Sequence, residues 1–385
     1  MKRITTILWF AFFIIGYHKA EANFRHFANN FHNNVDNKFD NHKFDNNKEE
    51  VSKTISEKYT TDKDTKLDIK NRYGKVHVNT WTKNEITIDI TIKAYGKDKE
   101  KAQEILDRIA IKYAKVGNMI SYETEINEEK KSWWGSWDWA FSWSDDDKGF
   151  EINYVVNMPI ENGLNLENKY GAVFLDNFDG ALNLEVKYGS LKANKLKGVS
   201  KNIELAYSKG EIEMIERGKL EFKYSSGKVE EVGEIDLDNR YGSFKINKAR
   251  KVSTDTKYGS FAVKSIDELT GSIGYSGCEI GEVRKKLVME VRYASGFEVD
   301  KIAAGFERVE IEGSYNSIKL GFESKAAFEF DIQTRYGSFK SSLSNMNVMK
   351  QRDENTSESH EGTVNGKGGV VKIDISYGSV KFMGE

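Results

Sequence analysis

The stretch "DNRYGSFKIN" (residues 238–247) is followed by "DTKYGSFAVK" (residues 255–264), one phrase written twice. Aligned on its tyrosine, the phrase recurs at Tyr170, Tyr188, Tyr207, Tyr224, Tyr241, Tyr258, Tyr275, Tyr293, Tyr315 and Tyr336, at steps of 17 to 22 residues. Tyr377 follows after 41 residues, two steps, with the polar run 350–369 lying between as an excursion. Tyr73 carries the same phrase in "NRYGKVHV". Fixed spacing of this kind is the mark of a repeat architecture.

The columns around the tyrosine give the local structure. Four residues before it stand apolar side chains such as Leu166, Leu220, Leu237 and Ile311. Three before it stand acids (Glu167, Glu221, Asp238, Glu312), and one before it bases (Lys169, Lys223, Arg240, Lys257). Strand side chains alternate between faces. The two charged columns therefore face water, and uninterrupted alternation puts the tyrosine inside. The glycine that follows is expected to bend the chain, and a second short strand resumes with, for example, Phe244 and Ile246.

A unit of 17 or 18 residues is too short to hold a crossover helix. Successive antiparallel hairpins would satisfy the pattern. A wound ribbon satisfies it better, because equivalent residues recur in equal phase and stack about 4.8 Å apart. The expected fold class is all-β: a β-solenoid of about 17–22-residue coils, eleven or twelve in number, with a small N-terminal strand-helix-strand module. In that module strands fall near 65–95, at "NMISYETEI" and at "GFEINYVVNMP". Ala102, Ile105, Leu106, Ile109 and Tyr113 have helical spacing behind a cap at Asp98.

Four regions follow. Residues 1–22 read as a signal peptide: "MKR", an apolar run, and "AEA" at 20–22. An uncleaved anchor is the plainer rival. Residues 23–50 are an Asn-rich spacer without periodicity, and their His26, His32 and His42 read as parts of a solvated tail. Residues 51–160 form the β-rich module with its helix and a Trp-rich hairpin insertion, and 161–385 the solenoid repeats.

Lys plus Arg number 58 against 60 Asp plus Glu, which gives no basic face for nucleic acid. Cys278 is the single cysteine and sits in an apolar column, so an internal disulfide and a cysteine-built zinc site are both excluded. His77 and His360 show no partners in the sequence. The carboxylates form a periodic ladder and no singular cluster, so the expectation is a protein without catalytic residues, metal or cofactor.

The departure from order is "SWWGSWDWAFSWSDDDKG" (residues 132–149). Trp133, Trp137, Trp139, Phe141 and Trp143 share one strand parity and would form a continuous aromatic face. Such a face could stack on a glycan or partner or enter a membrane interface. The plainer reading has it cover the solenoid. Asp145, Asp146 and Asp147 read as a solvated turn, since adjacent carboxylates lack calcium-loop geometry.

From "LDIKNRYGKVHVNTW" through "NMPIENGLNLENKYGAVFL" to "ISYGSVKF", roughly residues 60–385, the chain resembles the bacterial putative-adhesin family, the toastrack-type or head-domain repeat proteins. Members of that family commonly place Asp or Asn where this chain has its tyrosine. The resemblance implies an exported, solenoid-like protein of the bacterial envelope, and it carries over no catalytic residue. The expected role is adhesin-like binding or scaffolding in the periplasm, at the outer surface or outside the cell. The alternatives are an envelope-stress sensor or regulatory partner and, more weakly, a polysaccharide-active β-helix enzyme. The partners these readings name are an envelope glycan or protein, a membrane surface through the Trp-rich hairpin, and a second copy, since the coils run to the chain end without an evident cap.

Overall fold

The computed structural model of the protein describes residues 48–127 and 149–384. The repeats wind into an all-β solenoid. Strand Lys209–Lys223 pairs in parallel with Ser226–Arg240, that strand with Ser243–Lys257, and so on through Ser260–Gly274 and Gly277–Arg292. Equivalent residues stand opposite one another: Leu220 beside Leu237, Asp238 beside Asp255, Phe244 beside Phe261.

The burial pattern within one coil shows how the ribbon bends. In Ser243–Lys257, Phe244, Ile246, Ala249, Val252, Thr254 and Thr256 are buried. Two neighbours in a row lie outside at Asn247/Lys248 and again at Arg250/Lys251. Alternation broken twice means two bends, and the corner at Tyr241 is the third. The interior is a continuous column of Leu, Ile, Val and Phe from Leu67 to Phe382.

The stack includes the phrase around Tyr73. Strands Lys66–Arg72 and Val76–Trp81 lie in parallel on Gly163–Lys169 and Ala172–Leu175. One more parallel layer lies above them, and beyond it the geometry turns antiparallel. Met119–Ile126 and Phe150–Pro159 form that layer, and beyond these lie Ile109–Val116 on one side and Glu85–Gly96 with Glu49–Thr60 on the other. The helix Lys99–Asp107 packs against the last two strands. Asp98 caps it, accepting from the Lys101 amide at 2.8 Å. The helix is shorter than its spacing suggested. Ile109 and Tyr113 belong to strand Ile109–Val116, where the cross-strand hydrogen bonds to Met119–Ile126 replace a further helical turn.

The far end carries two features that the repeat alone does not give. The run 350–369 is largely ordered sheet. Strands Met346–Glu354 and Ser357–Val364 form a hairpin lying antiparallel along Phe328–Arg335. The last coil in sequence is not the last in space either. Gly369–Ser376 pairs in parallel with both Arg308–Ser314 and Phe328–Arg335, and Ser379–Gly384 with both Ser317–Phe322 and Ser338–Ser341. The chain end is thus slotted between two earlier coils, and the hairpin covers the outer edge of strand Phe328–Arg335. On the other sheet the end strand Ser338–Ser341 has four residues, and the Phe339 amide donates to Glu358 Oε2 at 3.1 Å. A short strand with an occupied amide is a blunted edge.

Candidate functional site: an outward tyrosine ladder

The repeat tyrosines point outward, against the expectation from alternation. All twelve, from Tyr73 to Tyr377, have φ between 51° and 63°, the left-handed region. One left-handed residue interrupts the strand and reverses the direction of its side chain. The corner is therefore made by the tyrosine, and the next residue has a different task. A Cβ on Gly242 would lie 2.0 Å from the Ser225 carbonyl oxygen, and one on Gly259 2.0 Å from that of Gly242. Glycine there permits coil to rest on coil. At other corners the position holds Ser208, Ser225 or Ser276, whose hydroxyls donate to the carbonyl two residues back at 2.8 Å.

Outside the stack the rings lie face to face. Eleven consecutive pairs, starting with Tyr73–Tyr170, have centroids 4.7–5.1 Å apart and planes within 14°. They make a strip about 54 Å long on a coil height of ~4.8 Å. Tyr241 and Tyr258, on whose proximity the wound-ribbon reading depends, are 4.9 Å apart. A left-handed non-glycine residue costs about 1–2 kcal/mol, and an aromatic pair returns about 0.5–1.5 kcal/mol beyond its buried area. The stack offsets the strain. Tyr241 is 37 % exposed and Tyr336 59 %. With faces taken by neighbours, edges and hydroxyls are what the strip offers to solvent.

The charged columns flank the strip as expected. Lys169 meets Glu167 at 2.6 Å, Lys187 meets Glu185, and Arg240 joins Asp238 of its own coil to Asp255 of the next, each at 2.6 Å. The Lys169 hydrogen bond holds the Glu167 carboxyl below the usual carboxylate range. Partly exposed pairs of this kind contribute about 0–1 kcal/mol each. On the same sheet Asn202, Asn183 and Asn165 form an amide ladder, with Nδ2 to Oδ1 distances of 2.9 Å, above an open groove of about 500 Å³.

The five aromatic residues singled out in the sequence (Trp133, Trp137, Trp139, Phe141 and Trp143) lie outside the described residues, as do residues 1–47. The flanks of that insertion are described. Ile126 and Phe150 end and begin strands in the layer above Tyr73, and the Phe150 ring meets Tyr73 edge-on at 5.4 Å. His77 and His360 do have ring partners, Phe174 at 4.4 Å and Phe339 at 5.2 Å. Cys278 is buried, and burial pushes its thiol up. Among the described residues no group of three or more His, Cys, Asp or Glu is placed to hold a metal, and no helix is long and apolar enough to cross a membrane.

The ladder itself was missed as a surface. Its signal was present: in a left-handed corner Asn and Asp are the ordinary occupants, and they stand at this position in the family the chain resembles.

No family model matches the chain, and no curated protein matches it. Among solved structures it is similar to one described as a putative cell adhesion protein from Clostridium sporogenes (10 % identity, 86 % of this chain and 100 % of that chain, TM-score 0.17). Another is described as a putative adhesin from Bacteroides fragilis (10 % identity, 86 % and 97 %, TM-score 0.25). A third, from Parabacteroides distasonis, is described as a putative lipid binding protein (11 % identity, 86 % and 96 %, TM-score 0.26). Likenesses at these scores decide neither family nor activity.

Proposed function

We propose that the chain is an exported, non-enzymatic scaffold of the bacterial envelope with an adhesin-like binding role, and that the tyrosine strip is its contact face. The observation that carries this reading is the choice of tyrosine at all twelve corners. Asn or Gly would hold the same backbone with less strain, so the ring is there for what it does outside the core. A rigid row of phenol edges and hydroxyls suits contact spread over many coils.

The test is cosedimentation of the mature protein with bacterial envelope preparations, alongside a glycan array. Replacing Tyr224, Tyr241 and Tyr258 together by Asn keeps the left-handed corner and removes three rings. Retention should fall at least about tenfold while the circular dichroism spectrum is unchanged. Unaltered retention by the folded triple variant would remove the strip from the account.

A further inference from the structure

The last three coils in space carry one cation each at the same place. Lys319 stands in register with Lys381, and Lys381 with Lys340. All three are exposed. Lys319 reaches Glu298 at 3.4 Å, whereas Lys381 and Lys340 form no ion pair with a described residue. Two residues earlier each of these coils places a serine, and Ser317 Oγ lies 3.2 Å from Ser379 Oγ, with Ser338 next in register.

Like charges directly opposite on neighbouring strands repel. Beside the tyrosines the bases sit against carboxylates; here the run of three cations has Glu298 beside Lys319 at its inner end and the Glu358 carboxylate on the Phe339 amide at its edge, and of the three only Lys319 forms an ion pair with a described residue. Nearer the head the same column is mixed, running Glu279, Ala262, Lys245, Lys228, Glu211. An unbroken run of three cations in this column is found at this end of the rod.

We propose that this lysine–serine strip binds a linear anionic glycan, a chain of carboxylated or sulfated sugars lying along the solenoid axis. The cations step at the coil height, so the strip is one side chain wide and about 10 Å long. Those dimensions fit a single extended polyanion. A duplex or an anionic bilayer needs a broader basic face. The serine row supplies neutral hydroxyls for sugar hydroxyls beside the charged groups. The inference rests on the reading of the chain as an exported binding protein and names the ligand class for one end of it.

The test is titration calorimetry of the whole mature protein with polygalacturonate oligomers and heparin-derived oligosaccharides. Neutral cello-oligosaccharides, single-stranded DNA and phosphatidylglycerol vesicles form the other arms. The wild type should bind the acidic oligosaccharides, more weakly as salt is raised. Lys340→Gln with Lys381→Gln should lose at least about tenfold at unchanged melting temperature, and Lys245→Gln, in the mixed column, should bind as the wild type does. Unchanged affinity in the double variant, equal binding of DNA or vesicles, or no binding of either acidic oligosaccharide would overturn the inference. The two readings fail separately. Tyrosine variants that lose envelope retention in a protein indifferent to acidic glycans sink only the lysine strip. Acidic-glycan binding with tyrosine variants that behave as wild type sinks only the tyrosine strip.

Discussion

Tyr315 stacks on Tyr377 at 4.7 Å with planes 4° apart, although Tyr336 is the next repeat tyrosine in the chain. Tyr336 comes after Tyr377, at 4.9 Å. The C-terminal coil is therefore a wedge between two coils made before it, and it buries Val371, Ile373, Ile375, Val380 and Phe382.

Ending the chain after Asn365 should unfold more than the residues removed. Each large buried side chain is worth about 2–5 kcal/mol, against a domain stability of about 5–15 kcal/mol. Coils of a solenoid lean on their nearest neighbours. Limited proteolysis should then cut within 303–365 while the region around Tyr224 stays protected. Protection of 308–341 in the shortened protein would contradict the wedge.

At Tyr241 the order of substitutions is set by the left-handed backbone. Asn gives up two ring stacks but relieves strain, for a net loss of about 0–2 kcal/mol. Ile gives up the stacks and worsens the strain, at about 2–4 kcal/mol. Urea unfolding should rank wild type, Tyr241→Asn and Tyr241→Ile in falling stability. An isoleucine variant as stable as the asparagine variant would mean the corner is not left-handed.

Glycines at two positions separate close approach from ordinary turn. Gly242→Ala drives a Cβ to 2.0 Å from a backbone oxygen, whereas nothing lies within 4 Å of one on Gly296. The first should cost about 3 kcal/mol or more and the second less than about 0.5 kcal/mol. Denaturant midpoints check the contrast, and equal effects would refute the account of coil-on-coil contact.

Lys201 is fully buried, and its Nζ donates to the carbonyl oxygens of Asp179, Gly180 and Lys197 at 3.0, 2.6 and 2.5 Å. Methionine there would fill the space and leave three carbonyls without their donor. The expected loss is about 2–4 kcal/mol, read by thermal melting. A neutral outcome would show that water replaces the ammonium.

Alkaline pH should move stability first up and then down. Burial, opposed by Asp179 and Glu216, lowers the Lys201 pKa from 10.5 to about 8. Between those values the unfolded chain binds more protons than the native one, so stability rises with pH. Burial raises Tyr154 from 10.0 to about 12, against the opposing Thr124 hydrogen bond. Its contribution is complete below pH 10 and is lost as pH climbs through 12, by about 2–3 kcal/mol. Tyr154→Phe should make the fall shallower without abolishing it, because burial also raises Tyr95, Tyr122 and Cys278, and Lys201→Met should flatten the rise. Superimposable pH profiles for wild type and both variants would show that neither group titrates as described.

Much of the architecture could be read from the columns alone. The apolar positions four residues before each tyrosine and three and five after it are the core, as at Leu237, Phe244 and Ile246. The acid and base columns face out and pair, as Asp238 and Arg240 do. The parallel register follows from equal phase. Where the reading failed, a local rule had been carried across an interruption it could not see. Parity counted through Tyr241 assumed unbroken strand, and one left-handed residue reversed it.

Repetition in the sequence favoured a wound ribbon over hairpins and set its interior and its charged faces, because strand alternation depends only on residues within one coil. It could not determine neighbour order at the end of the stack. Coils with the same pattern of columns are interchangeable partners for a parallel edge, so the local pattern is equally satisfied on either side of strand Phe328–Arg335. The tertiary structure decided it: the hairpin Met346–Val364 occupies one edge of that strand, which leaves the last coil the gap beside Arg308–Ser314. The outward direction of the tyrosines was decided the same way. Only when coil is stacked on coil does each ring find the neighbour that offsets its strained backbone.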